Sequence, residues 1–153
     1  MSDDVYSLCS GFSEKKLKSL PLGVVNISDV KKQLKNNRQS LIDDKKKKGE
    51  WITVLIAGRF QKIKNQLFSC EVLRVIYQLY PNVFYKVIFC GKPLEGNLDD
   101  IEYYKQVVEK AKKHSTANLH FEFRGFVDNM SMEYLKSDIC FIPSEYESFS
   151  LVA

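Results

Sequence analysis

Four apolar runs, ITVLIAG, FYKVIFCG, LHFEFRG and ICFIP, punctuate the chain between Ile52 and Pro143, and a stretch of helical character separates each from the next. No other feature constrains the fold as much. ITVLIAG is continuous in apolar and β-branched side chains, the pattern of a strand buried on both faces. NQLFSCEVLRVIYQLY follows it. Its spacing predicts a helix with Phe68, Val72, Val75, Ile76 and Leu79 on one face, stopped before Pro81. LDDIEYYKQVVEKAKKH predicts a second helix, with Asp99 and Asp100 in its first turn and lysines in its last, matching the helix macrodipole. DNMSMEYLKSD predicts a short third helix before ICFIP. Strand and helix alternating to a fourth strand imply parallel β-α-β units with right-handed crossovers. Such strands need helices on both faces. The expected fold class is therefore α/β, a Rossmann-like doubly wound parallel sheet of order 3-2-1-4. A six-stranded version would want two more β-α units after Ala153.

The first fifty residues read differently. FSEKKLKSLPLGVVNI is broken by Pro21 and Gly23. From Val30 to about Ile42, Val30, Leu34, Leu41 and Ile42 form a sparse apolar stripe on a basic helix ended near Gly49. Residues 1–50 are thus expected to be a basic N-terminal segment or interdomain linker lying at the surface, and 51–153 a partial Rossmann-like domain. Between Lys31 and Lys48 eight Lys or Arg face only Asp43 and Asp44, a local net of +6 in a chain whose total is +4. Such a run can attract nucleic acid or an anionic membrane surface. No aromatic residue interleaves these lysines, so nucleic acid is not an expected partner. A solvated helix face is the simpler reading, with peripheral membrane association as the alternative.

No run of about 18 apolar residues is present, and the N-terminal MSDDVYSLCSGFSEKK lacks the apolar core of a signal peptide. A cytoplasmic location is expected. Cys9, Cys70, Cys90 and Cys140 show no CxxC and no metal-ligand spacing. Cys90 and Cys140 lie inside apolar runs, where a free cysteine behaves as a small buried hydrophobe. His114 and His120 have no ligand partners close in sequence and read as structural. No metal and no cofactor is expected.

In a sheet of order 3-2-1-4 the first and fourth strands lie side by side. The crevice beyond their carboxyl ends is the topological switch point, where ligands bind in this architecture. GRFQKIKNQ follows the first strand and PSEYESFS the fourth, one bearing cations, the other carboxylates and hydroxyls leading into a helix start. That pairing suits a nucleotide-sugar better than a dinucleotide. Arg59 and Lys64 can hold a diphosphate. Backbone amides at Ser148, Phe149 and Ser150 can add hydrogen bonds where a helix dipole is positive, and Glu147 can accept from sugar hydroxyls. Spacing alone leaves the bland reading open, surface cations beside a helix start and a surface glutamate. A GxGxxG after the first strand is absent, as are GxxxxGK[ST], GxSxG and HExxH, so classical dinucleotide, P-loop, α/β-hydrolase and zincin sites are not expected.

From about Ile52 to Ala153 the chain resembles the C-terminal, donor-binding domain of group 1 glycosyltransferases with the GT-B fold. VLIAGRF with Lys64-Asn65 downstream, KVIFCGKP with a later EYYKQ, FRGFV, and YLKSDICFIPSEYESFSLVA carry the resemblance. The last is the most specific, set against a family pattern of apolar strand, PS, then EGFGLVxLEA. The first fifty residues match weakly, through LPLGVV alone. The resemblance implies a retaining, metal-independent transfer of a sugar from a nucleotide-diphospho-sugar donor, a UDP-, GDP- or ADP-sugar, to an acceptor it does not identify. It implies that Arg59 and Lys64 bind the donor diphosphate and stabilise the leaving nucleotide, and that Gly58, Gly125 and Val127 border the donor, the last two at the nucleobase. Glu147 becomes the first glutamate of an E-x7-E motif touching the donor sugar, Glu145 an unassigned loop residue, and Ser148, Phe149 and Ser150 stand where the family has G-F-G.

Two departures follow. Serine at both glycine positions adds a side chain where backbone must approach the donor. The second glutamate of the motif would fall at 155, two past Ala153. The acceptor-binding N-terminal GT-B domain has no counterpart either. The expectation is an incomplete GT-B half: a transferase by family, inactive alone, and marginally stable because the fourth strand is an uncovered edge. The alternatives are a non-catalytic nucleotide-sugar-binding or remnant module, and a GT-B epimerase.

Overall fold

The computed structural model describes residues 38–146. Helix α1 (Arg38–Lys48) leads into strand β1 (Trp51–Ala57), and a 3-10 turn (Lys62–Lys64) into helix α2 (Gln66–Leu79). Then come β2 (Phe84–Cys90), α3 (Leu98–His114), β3 (Leu119–Gly125), the short α4 (Met130–Lys136) and β4 (Ile139–Cys140). The sheet has order β3-β2-β1-β4, all pairs parallel. β1 and β2 run in step from Trp51↔Phe84 to Ala57↔Cys90. β4 pairs only at Val54↔Ile139 and Leu55↔Cys140, and among the described residues it forms one edge of the sheet, with β3 the other.

The boundaries have local causes. Gly49, at φ 67°, ends α1 after its four lysines. Asn65 takes the left-handed conformation (φ 53°, ψ 36°) between the 3-10 turn and α2, a role asparagine fills at lower cost than other non-glycine residues. Asn97 caps α3 by accepting from Asp100 N at 3.1 Å.

Each face of the sheet has its own core. Ile52, Val54, Ile56, Val87 and Phe89 point to one side, where Cys70 and Leu73 of α2 and Tyr103, Val107 and Ala111 of α3 cover them. Leu55, Ile88 and Cys90 point to the other, under Met130 and Tyr134 of α4. Helices on both faces make the sheet doubly wound, as the alternation predicts.

Two expectations need correction, the first in part. The buried face of α2 is Gln66, Ser69, Cys70 and Leu73, while Phe68, Val75 and Leu79 are 52%, 45% and 67% exposed. Of the five expected residues Val72 and Ile76 do pack on the core, but the helix lies closest to the sheet through its small side chains, Ser69 and Cys70, neither with any exposed surface. Cys140 is exposed rather than buried, since only two residues of ICFIP pair and the edge has no outer neighbour among the described residues. The described part of the basic segment is mostly exposed, yet it is tied to the sheet. Ile42 packs on the first core, and Lys45 Nζ donates to Asp138 Oδ2 at 2.8 Å. That carboxylate also accepts from Thr53 N at 2.8 Å, joining α1, β1 and the start of β4. No helix among the described residues is long and apolar enough to cross a membrane.

Candidate functional site

Glycine directly follows β1 and β2 and ends β3, and the three glycines lie side by side. Gly58 N donates to Cys90 O at 2.9 Å, and Gly91 N donates to Gly125 O at 2.7 Å, so the ladder runs on past the strand ends. Gly91 has φ 150°, and a Cβ there would fall 2.0 Å from Gly58 O. Only glycine lets the loops after β1 and β2 approach so closely. Gly125 (φ 68°) lies beneath the Lys92 side chain, whose Cε would be 3.3 Å from an added Cβ.

Above this floor, at the carboxyl ends of β1, β2 and β3, is a cavity of about 670 Å³. Ala57, Gly58 and Arg59 line it from the β1 loop, Cys90 to Glu95 from the β2 loop, and Phe126, Val127, Met130 and Tyr134 from the β3 loop and α4. The walls are mostly apolar, with Arg59, Lys92 and Glu95 the charged residues among them. Burial pushes the Tyr134 phenol up to about 12 and raises the Cys90 thiol, so both stay neutral near pH 7. The floor therefore offers a neutral surface suited to a flat ring, with cations set around it.

Arg59 is held by its neighbours. Phe60 is buried beside Phe89 (centroids 5.9 Å apart), Tyr104 (4.7 Å) and Phe123 (6.1 Å). Phe60 N donates to Lys92 O at 3.2 Å, and Gln66 Nε2 donates to Arg59 O at 3.0 Å. The main chain at Arg59 is thus pinned on both sides, while its side chain, 46% exposed, reaches the cavity. Lys64 sits in the 3-10 turn and is not among the cavity-lining residues. The loop after β4 meets this turn: Glu145 N donates to Ile63 O at 3.0 Å. The segments after β1 and β4 do come together, then, as the strand order requires.

Of the sequence-derived residues, Gly58, Arg59 and Val127 line one cavity, and Gly125 lies beside it under Lys92. Glu147, Ser148, Phe149 and Ser150 lie outside the described residues. Lys92, Glu95, Phe126, Met130 and Tyr134 went unremarked in the sequence, as did the requirement for Gly91. A glycine closing each of three successive apolar strands was the available signal. Among the described residues no group of three or more His, Cys, Asp or Glu side chains converges as a metal site would.

The model of the group 1 glycosyl transferases matches residues 37–153. This chain belongs to that family. The C-terminal domain of a group 1 family glycosyl transferase (LpcC) from Francisella tularensis is 25% identical, with a TM-score of 0.53. The similarity covers 74% of this chain and 56% of that one. The trehalose-6-phosphate synthase OtsA is 14% identical, with a TM-score of 0.61, over 87% of this chain and 32% of its own. An E. coli trehalose-6-phosphate structure bound with UDP-2-fluoro glucose is 15% identical, with a TM-score of 0.60, over the same shares. These last two show a common GT-B fold and no more. The chain spans about half of the first neighbour and about a third of the others. No curated protein sequence matches it.

Proposed function

We propose that the chain is the donor-binding part of a retaining glycosyltransferase that takes its sugar from a nucleoside diphosphate. One observation carries this reading: an apolar cavity at the carboxyl ends of β1 to β3, with Arg59 at its edge and the loop after β4 held against the turn that follows Arg59. The base enters between the β2 and β3 loops, where Val127 and the exposed ring of Phe126 offer an apolar wall and a stacking surface. The diphosphate meets Arg59, with Lys64 on the adjoining turn. Glu147 and the amides of Ser148, Phe149 and Ser150 complete the sugar side. A UDP-sugar analogue bound to a neighbour of the same fold supports the choice of donor class.

The chemistry asked of these cations is electrostatic. As the glycosidic bond to the diphosphate breaks, negative charge gathers on the leaving phosphate, and fixed positive charge lowers the barrier. Removing one such group costs about 10²–10³ in rate. The direct test is calorimetric titration of UDP, GDP and ADP into the chain and its Arg59→Ala variant. One nucleotide should bind to the unmodified chain, and R59A should weaken it about tenfold or more. A folded chain that binds none of the three refutes the reading.

A further inference from the structure

Asp100 is the least expected residue near the cavity. As one of two aspartates in the first turn of α3, it reads from sequence as a partner for the helix dipole. That role is already filled. Asp99, its neighbour, is exposed and supplies the charge from solvent, and Asn97 caps the helix. Asp100 is instead only 6% exposed, and its Oδ2 accepts no hydrogen bond among the described residues. A buried carboxylate oxygen without a donor is costly, and is kept where something else requires it. The group facing that oxygen is the guanidinium of Arg59, with Nε 4.0 Å away.

We propose that Asp100 is a positioning residue for Arg59. This deepens the donor-site reading and rests on it. The main chain of Arg59 is already fixed by Gln66 and Lys92, so what remains to be set is the side chain. A guanidinium carries five N–H donors in a rigid fork. A carboxylate held at the Nε edge turns that fork and leaves Nη1 and Nη2 for two oxygens of a diphosphate. The separation is that of an ion pair not yet closed to a hydrogen bond, and catalytic contacts of this kind tighten when ligand arrives. Because the carboxylate is buried on α3, it acts on the site only through Arg59.

The sign of one substitution separates this role from simple charge. If Asp100 contributed only a negative charge near an anion site, Asp100→Asn would tighten diphosphate binding. If it sets Arg59, the same change loosens binding. UDP, GDP and ADP are titrated into the full chain, D100N, D100E and the control D99N, with thermal melting run on each. The Nε–H resonance of Arg59 is followed by ¹⁵N NMR without ligand. The expected result is a loss of about tenfold in affinity for D100N, partial rescue in D100E and a change within about twofold for D99N. The Arg59 Nε–H signal should be resolved and slow to exchange in the unmodified chain, and lose that protection in D100N. Unchanged or tighter binding by D100N, or an Nε–H signal indifferent to it, overturns the positioning role alone. A folded unmodified chain that binds no nucleotide overturns the donor site and this role together.

Discussion

The two faces of the sheet are built on different principles. On the face covered by α2 and α3 the strands present Ile52, Val54, Ile56, Val87 and Phe89 to an aromatic pile, in which Phe89 stacks on Phe123 with centroids 4.9 Å apart. On the other, the buried apolar cluster among the described residues is only Leu55, Ile88 and Cys90, beneath a seven-residue helix, with Trp51 against Phe84 and His120 at its far end. Farther out that face is charged: Lys86 Nζ lies 2.9 Å from Glu122, and Arg124 bridges Glu122 and Glu133. The cavity opens beside this thinner core, lined by Cys90, Met130 and Tyr134 from it. One face holds the fold together, and the other leaves room for a ligand.

Truncating a side chain on each face is the strongest way to break that contrast. Phe89→Ala should cost about 3–5 kcal/mol, because the rings around it cannot collapse into the space. Ile88→Ala, one residue along on the opposite face, should cost about 2 kcal/mol, the low end for such a change, since α4 and the open cavity can relax. Urea midpoints at constant slope would measure both. Equal losses would mean that the second face is as tightly packed as the first.

The floor between the two faces is tested next. Gly91→Ala puts a methyl 2.0 Å from Gly58 O in a backbone conformation that L residues avoid. A loss of about 3 kcal/mol is expected, together with weaker nucleotide binding. Gly96→Ala makes a useful control, because its φ is also positive (78°) but nothing lies within 4 Å of the added carbon. It should show backbone strain alone, about 1 kcal/mol. Similar costs at the two sites would remove the case for a close approach between the β1 and β2 loops.

The same contrast explains what could be read in advance. The four strands, their order and the span Leu98–His114 followed from apolar runs and periodicity, because burying a strand on both faces leaves few patterns to choose from. The buried arc of α2 followed only in part, at Val72 and Ile76. Phe68 and Leu79 are more hydrophobic than Ser69 and Cys70, yet the small residues allow the helix to lie close to the sheet. The place of Arg59 at the cavity was legible from its position after the first strand, whereas the burial of Asp100 beside it was hidden by an adequate local explanation at the helix start. Gly91 became significant only when Gly58 O was set against it. Residues defined by their own segment could be found in sequence; those defined by a second segment could not.

Charge on the two sides gives the smaller tests. Glu71, on α2 outside the first core, meets Lys110 Nζ at 2.8 Å, and Lys110 and then His114 hold its carboxyl down at about 2. A carboxylate whose folded pKa is depressed adds stability above its unfolded value, about 4.3, and loses it as pH falls through the folded one. The side chain is 39% exposed, so solvent screening limits the gain to about 1 kcal/mol. Glu71→Gln should therefore lower the urea midpoint slightly at pH 7, and the gap should close between about pH 4.5 and pH 2. A gap that persists to pH 2 would assign the effect to packing.

Glu122, on the charged face, should show the smallest effect. Arg124 first and Lys86 second hold its carboxyl below the usual range, so its contribution too is present at neutral pH and fades in acid. It is 38% exposed and has alternative solvent partners, which leaves a few tenths of a kcal/mol at low salt. Glu122→Gln should shift the midpoint by that amount in dilute buffer, and by less still at 1 M NaCl, where the screening length is about 3 Å. The network is then a solvated surface that keeps this face polar beside the cavity. A loss of several kcal/mol, insensitive to salt, would instead mean that Glu122, Arg124 and Glu133 act as a buried unit, and that the second face is held by charge as firmly as the first is by packing.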